Sequence, residues 1–149
     1  MPHRSRAFRA LAVALLAPAL IGAGTPARDV TVTVTKLRSA KGQILACLTP
    51  DPHAFPQCER GGKTRSLILP AREGMVLNFG PVPEGRYAIA LIHDENGNGK
   101  LDKHLIIPRE GFGFSRNAPV SFGPPSFDAA SFSIAGDDHH EAIAVRYLL

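Results

Sequence analysis

Val30, Val32 and Val34 alternate with Thr31, Thr33 and Thr35, and this alternation constrains the fold more than any other feature of the chain. Successive side chains of an extended strand point to opposite faces, so apolar–polar alternation buries one face and wets the other. Similar short runs recur. Gln43–Leu48 and Ser66–Leu69 are candidate strands, and Met75–Phe79 sets Met75, Leu77 and Phe79 on one face. Arg86–His93 is the most apolar run, with Tyr87, Ile89, Leu91 and His93 together; Ala118–Phe122, Ala130–Ile134 and Ala142–Leu148 follow. Pro50, Pro70, Gly80-Pro81, Gly85, Gly123-Pro124-Pro125 and Gly136 punctuate them. No window after residue 27 holds a 3.6-residue period over three turns. About eight short strands at turn-rich spacing predict an all-β fold, a single β-sandwich with Greek-key connections. The 149 residues suit one domain.

The first residues follow a different logic. Arg4, Arg6 and Arg9 precede twelve uncharged, mostly apolar residues, Ala10–Ile21, and small residues follow through Ala27. Basic, apolar, small is the order of a secretory signal peptide. The apolar run is short for a membrane span, which needs roughly 20 residues. Residues 1–27 are therefore expected to be a leader and residues 28–149 a periplasmic or secreted domain, with no transmembrane anchor once the leader is gone. Cleavage after Ala23 also fits, but Ala27 places Thr25 at the small −3 position. Removing three arginines from the 17 basic residues leaves 14 against 13 acidic ones. No basic cluster then remains to form a nucleic-acid stripe, which sets nucleic-acid binding aside. Cys47 and Cys58 are the two cysteines. In an oxidising compartment an even pair predicts a disulfide, here closing a Pro-rich loop.

Asp94–Asn117 is the longest segment without strand character, at 24 residues, and a loop of that length is usually functional. It opens as Asp94-Glu95-Asn96-Gly97-Asn98-Gly99-Lys100-Leu101-Asp102. Side-chain oxygens at relative positions 1, 3, 5 and 9, with Gly at 6, match the first three-quarters of an EF-hand-type calcium loop. A hard cation needs six or more oxygens, and alternate residues of a tight loop can supply them. Asp94, Asn96, Asn98, the Lys100 carbonyl and Asp102 are the candidate ligands, with Leu101 anchoring the loop to the core. Leu105 stands where the bidentate Glu belongs, and Glu110 is the candidate to replace it. A second reading fits the same residues. Asn96-Gly97 and Asn98-Gly99 each suit a type I′ turn that needs no ion.

The run from Pro83 to Asp102, with Ile107–Asn117 and Pro125–Ala130, resembles the signature of an exported bacterial family, domain of unknown function 2141. The resemblance covers most of residues 30–149. It implies a small exported β-sandwich of the transthyretin-like or carboxypeptidase-regulatory kind. It carries no activity and no catalytic residue.

Other residues attract chemistry less strongly. Asp137-Asp138-His139-His140-Glu141 offers adjacent metal-binding side chains, but neighbours on an extended chain point to opposite sides. His93 is expected to orient Asp94 or a loop carbonyl. His104 is expected to be exposed, and His53 has no evident partner. Phe112 and Phe114, in a Gly-rich stretch, form either a stacking platform for a ligand or a satellite core under the long loop, which is the plainer reading. The expected function is a non-catalytic, calcium-stabilised binding or accessory module of the cell envelope, with an envelope protein or glycan as partner. Two alternatives remain, a metal-dependent hydrolase using the Asp94–Glu110 loop and a purely structural envelope protein.

Overall fold

A computed structural model describes residue 22, residues 24–58 and residues 63–149. The expected leader lies outside the described residues up to residue 21 and at residue 23. Among the described residues the chain is almost entirely strand and loop. The strands are β1 (Ala27–Thr35), β2 (Gln43–Thr49), β3 (Arg65–Pro70), β4 (Val76–Pro83), β5 (Gly85–Asp94), β6 (Lys103–His104), β7 (Ile107–Pro108), β8 (Gly111–Phe114), β9 (Phe132–Ile134) and β10 (His139–Ala144). A four-residue helix, α1 (Phe127–Ala130), precedes β9. No helix among the described residues is long and apolar enough to cross a membrane.

One sheet has the order β10-β1-β4 and another β3-β2-β5-β8, with β9 also paired to β5; β6 and β7 form a separate hairpin. The alternation in β1 predicts its burial correctly, since Val30, Val32 and Val34 are fully buried. They share one apolar core with Leu77 and Phe79 of β4, Ile143 of β10, Ile44, Ala46 and Leu48 of β2, and Tyr87, Ile89 and Leu91 of β5. The two larger sheets thus contribute to the same core. β1 runs antiparallel to β4 and parallel to β10.

β5 is central, and its opposite face is covered as well. Ala88, Ala90 and Cys47 there meet Phe112 and Phe114 of β8, Phe55, Ala118, Phe127 and Ala130 in a second cluster. Phe55 sits edge-on to Phe114 and Phe127, at centroid distances of 5.8 and 6.1 Å. The disulfide Cys47–Cys58 closes the loop that delivers Phe55. β9 pairs with Gly85–Tyr87 and β8 with Ala90–His93. In the gap, the buried Ser115 hydroxyl accepts from the Ile89 N–H at 2.9 Å and donates to the Ala130 carbonyl at 2.6 Å.

The sequence expectations need correction at several elements. Ala118–Phe122 is a loop, not a strand; Ala118 and Val120 pack on the second cluster while Phe122 is fully exposed. Gly111–Phe114, expected inside a loop, is β8. Its glycines alternate with phenylalanines for a steric reason. A Cβ on Gly111 would lie 2.5 Å from Val145 and Tyr147 side-chain atoms, and one on Gly113 2.7 Å from Ile143. β4 continues past Phe79 because Gly80, at φ +71°, absorbs a register shift against β1 between Val30 and Thr31. The Ala130–Ile134 run is divided between α1 and β9, and the last strand ends at Ala144 rather than Leu148.

Candidate functional site

The site is built where β5 ends. Antiparallel pairing sets Asp94 opposite Gln43, and the Gln43 amide Nε2 donates to Asp94 Oδ2 at 2.8 Å. The chain then turns back over the carboxylate. Gly97 and Asn98 N–H groups donate to Oδ1 at 2.8 and 3.1 Å, and the Gly99 N–H donates to Oδ2 at 2.8 Å. Gly97 and Gly99 take φ of +73° and +81°, the left-handed region that favours glycine. Asp94 is fully buried. Burial pushes its carboxyl up, but the Gln43 amide and the Gly99, Asn98 and Gly97 N–H groups outweigh that and hold it below the ordinary carboxylate value.

The outer loop residues face one another. Asn96 Nδ2 donates to Asp102 Oδ2 at 2.5 Å, and Asn98 Nδ2 reaches both Asp102 oxygens at 3.0 and 2.9 Å. Each Asn carbonyl also accepts the N–H two residues on, Asn98 for Asn96 and Lys100 for Asn98, both at 3.0 Å. Glu110 arrives from the far side of the β6–β7 hairpin and is buried. Its carboxylate accepts from the Glu95 and Asp102 N–H groups, each at 3.0 Å, so it ties the two ends of the loop. Asp94, Asn96, Asn98, Asp102 and Glu110 therefore meet in one network. Lys100 is exposed, Leu101 is only half-buried and belongs to neither core cluster, and Leu105 lies on the hairpin away from the loop interior.

Four residues of this site carry no signal in the sequence, because they come from the β1–β2 loop and the start of β2, some 50 positions away. Gln43 is one. Gly42 is another: a Cβ there would stand 2.0 Å from the Asp94 carbonyl. Arg38 donates to Glu95 Oε2 from Nε at 3.1 Å and Nη2 at 2.5 Å, and the Ser39 hydroxyl donates to Oε1 at 2.7 Å. The Arg38 guanidinium holds the Glu95 carboxyl below the usual range.

His93 is fully buried beneath the loop. Its Nε2 lies 2.8 Å from the Lys41 carbonyl and its Nδ1 2.6 Å from the Tyr147 hydroxyl. A carbonyl only accepts, so Nε2 carries a proton, and in the neutral ring Nδ1 accepts from Tyr147. The ring thus orients a loop carbonyl, and Asp94 is not its partner. His104 and His53 are exposed. His139 stacks on Phe132 at 3.9 Å, His140 bonds the Thr31 hydroxyl, and Glu141 accepts from the Arg116 N–H at 2.8 Å. Strand alternation sets His140 on the face opposite His139 and Glu141, whose side chains lie 3.4 Å apart, and among the described residues no group of three or more His, Cys, Asp or Glu gathers to hold a metal ion. Phe112 and Phe114 are buried and serve as satellite core, not as a stacking platform.

The bacterial family described as "Uncharacterized protein conserved in bacteria (DUF2141)" matches residues 32–142. The chain belongs to the DUF2141 family. No curated protein and no solved structure matches it. In this DUF2141 chain the matched residues run from within β1 to within β10 and span the loop network described above.

Proposed function

We propose that this chain is a non-catalytic binding or accessory module of the cell envelope, exported to the periplasm or beyond, with its two larger sheets forming a Greek-key β-sandwich. Its loop takes up calcium, and its partner is an envelope protein or a glycan. The carrying observation is the convergence of Asn96, Asn98 and Asp102 over a backbone locked from below by Asp94 and Glu110. A carboxylate offers about four acceptor positions, and Asp94 uses all four on N–H donors. Asp94 and Glu110 are then the organisers of the loop, while the second lone pairs of the Asn96 and Asn98 carbonyls, the Lys100 carbonyl and Asp102 face the ion. Oxygen donors without imidazole or thiolate suit a hard cation.

With one carboxylate in that shell, affinity falls at the weak end for extracellular modules, about 10⁻³ M. Calcium at ten times that dissociation constant adds about 1.4 kcal/mol by mass action, an upward shift of several degrees in the melting midpoint. Thermal melts with calcium, magnesium or chelator test this, and magnesium should do much less because it holds its water in a smaller octahedral shell. Asp102→Asn should abolish the calcium shift. Equal midpoints in calcium and chelator would defeat the ion reading and leave a self-sufficient hydrogen-bonded turn. Amino-terminal sequencing of the exported form tests the leader; an intact Met1 in the cytoplasmic fraction would defeat export.

A further inference from the structure

The β6–β7 hairpin carries an apolar tip that the fold does not use. Leu105 and Ile106 connect the two strands and are 86% and 88% exposed, with Ile107 beside them at 41%. None of the three belongs to either core cluster. Leu105 also sits at φ +57°. Two-residue hairpin turns that need positive φ favour Gly, Asn or Asp, and a branched aliphatic side chain there is strained. The same loop uses Asn-Gly twice a few residues earlier, so this chain places one bulky aliphatic, Leu105, where turn chemistry asks for Gly, Asn or Asp, and a second, Ile106, beside it.

The exposed charged side chains beside the tip are basic. Lys100, Lys103 and Arg109 are exposed, while of the acids in this stretch Asp94 and Glu110 are buried and Glu95 and Asp102 half-buried. Arg38, its charge paired with Glu95, ties the base of the hairpin to the last residues of the chain. It donates to the Arg109 carbonyl at 3.0 Å and the Leu149 carbonyl at 2.6 Å, which places Leu148 and Leu149, each 55% exposed, at the same end of the molecule.

We propose that this hairpin docks the protein on an anionic lipid surface, with Leu105, Ile106 and Ile107 entering the headgroup–acyl boundary. Lys103 and Arg109 then stand at the level of the lipid phosphates. Aliphatic side chains flanked by cations match that interface: apolar burial supplies depth, and the basic collar selects negative headgroups. The docking does not depend on the calcium reading and is tested in chelator.

The experiment is co-sedimentation of the leaderless protein with phosphatidylcholine vesicles, with and without phosphatidylglycerol, at low and high salt. Binding is expected with phosphatidylglycerol, at a lipid dissociation constant on the order of 10⁻⁴ M, and should weaken as salt screens the collar. The double variant Leu105→Gly, Ile106→Asn puts Gly at the positive-φ position and a polar turn residue beside it, so its melting midpoint should hold or rise while vesicle affinity drops roughly tenfold or more. Lys103→Gln with Arg109→Gln should weaken binding to the anionic vesicles. No binding at low salt, equal binding by the hairpin variant, or equal affinity for both vesicle types would each overturn the proposal. So would self-association abolished by the hairpin variant in the absence of vesicle binding, which would give the tip to a second copy of the chain.

Discussion

Gly42 and Gly74 have nearly the same backbone, φ +67° and +69°, but different surroundings. A Cβ on Gly74 meets nothing within 4 Å, whereas one on Gly42 lies 2.0 Å from the Asp94 carbonyl and 2.8 Å from the Glu95 backbone. Gly74→Ala should therefore cost only the left-handed conformation, about 1 kcal/mol. Gly42→Ala should cost clearly more, about 3 kcal/mol, because backbone must move. Urea midpoints of the two variants check the difference, and equal midpoints would mean the β1–β2 loop does not hold the site as described. Asp94 gives a pH test. Its carboxyl is held below its ordinary value of 3.8 in the folded state, so the unfolded chain binds the proton first as pH falls. Its stabilisation is fully present above that ordinary value and is lost as pH drops through the lower folded one. Asp94→Asn should lose roughly 2–3 kcal/mol at neutral pH and show a smaller further loss in acid, read from urea midpoints at neutral and acidic pH.

At the scale of the element, legibility follows what the side chains do. β1 was readable because its valines and threonines divide cleanly between core and surface, and β5 because a strand covered on both faces is apolar along its length. β8 was hidden because two of its four positions are glycines, which erase the alternation while obeying it. Gly113→Ala would push a methyl group to 2.7 Å from Ile143 and should destabilise by roughly 1–3 kcal/mol, seen as a lower thermal midpoint with an unchanged far-ultraviolet spectrum. Ala118–Phe122 misled in the opposite sense: Ala118 and Val120 pack on the second cluster from a loop, with no strand partner among the described residues. The ligand-like spacing from Asp94 to Asp102 was visible because it is local. Gln43, Gly42, Ser39 and Arg38 were not, since only the β2–β5 register brings them there.

Across the whole molecule, the second cluster depends on segments with little regular structure. Phe55 is delivered by a loop closed at Cys47 and Cys58. Reducing that bond should lower stability by about 3 kcal/mol through the freed unfolded chain, with the loss read from melts with and without reductant. Denatured, unreduced protein should show no free thiol. The other long-range tie is the pairing of β1 with β10, in register from Val30 opposite His139 to Thr35 opposite Ala144. Because these strands run parallel, tension between the start of β1 and the end of β10 pulls along both strands in opposite directions. Every hydrogen bond of the pair then bears load at once. The β2–β3 hairpin, pulled apart at Gln43 and Pro70, opens one bond at a time. Single-molecule pulling between engineered handles should give a higher rupture force for the first geometry than for the second. On that outcome the β1–β10 pair acts as a mechanical clamp under stretching.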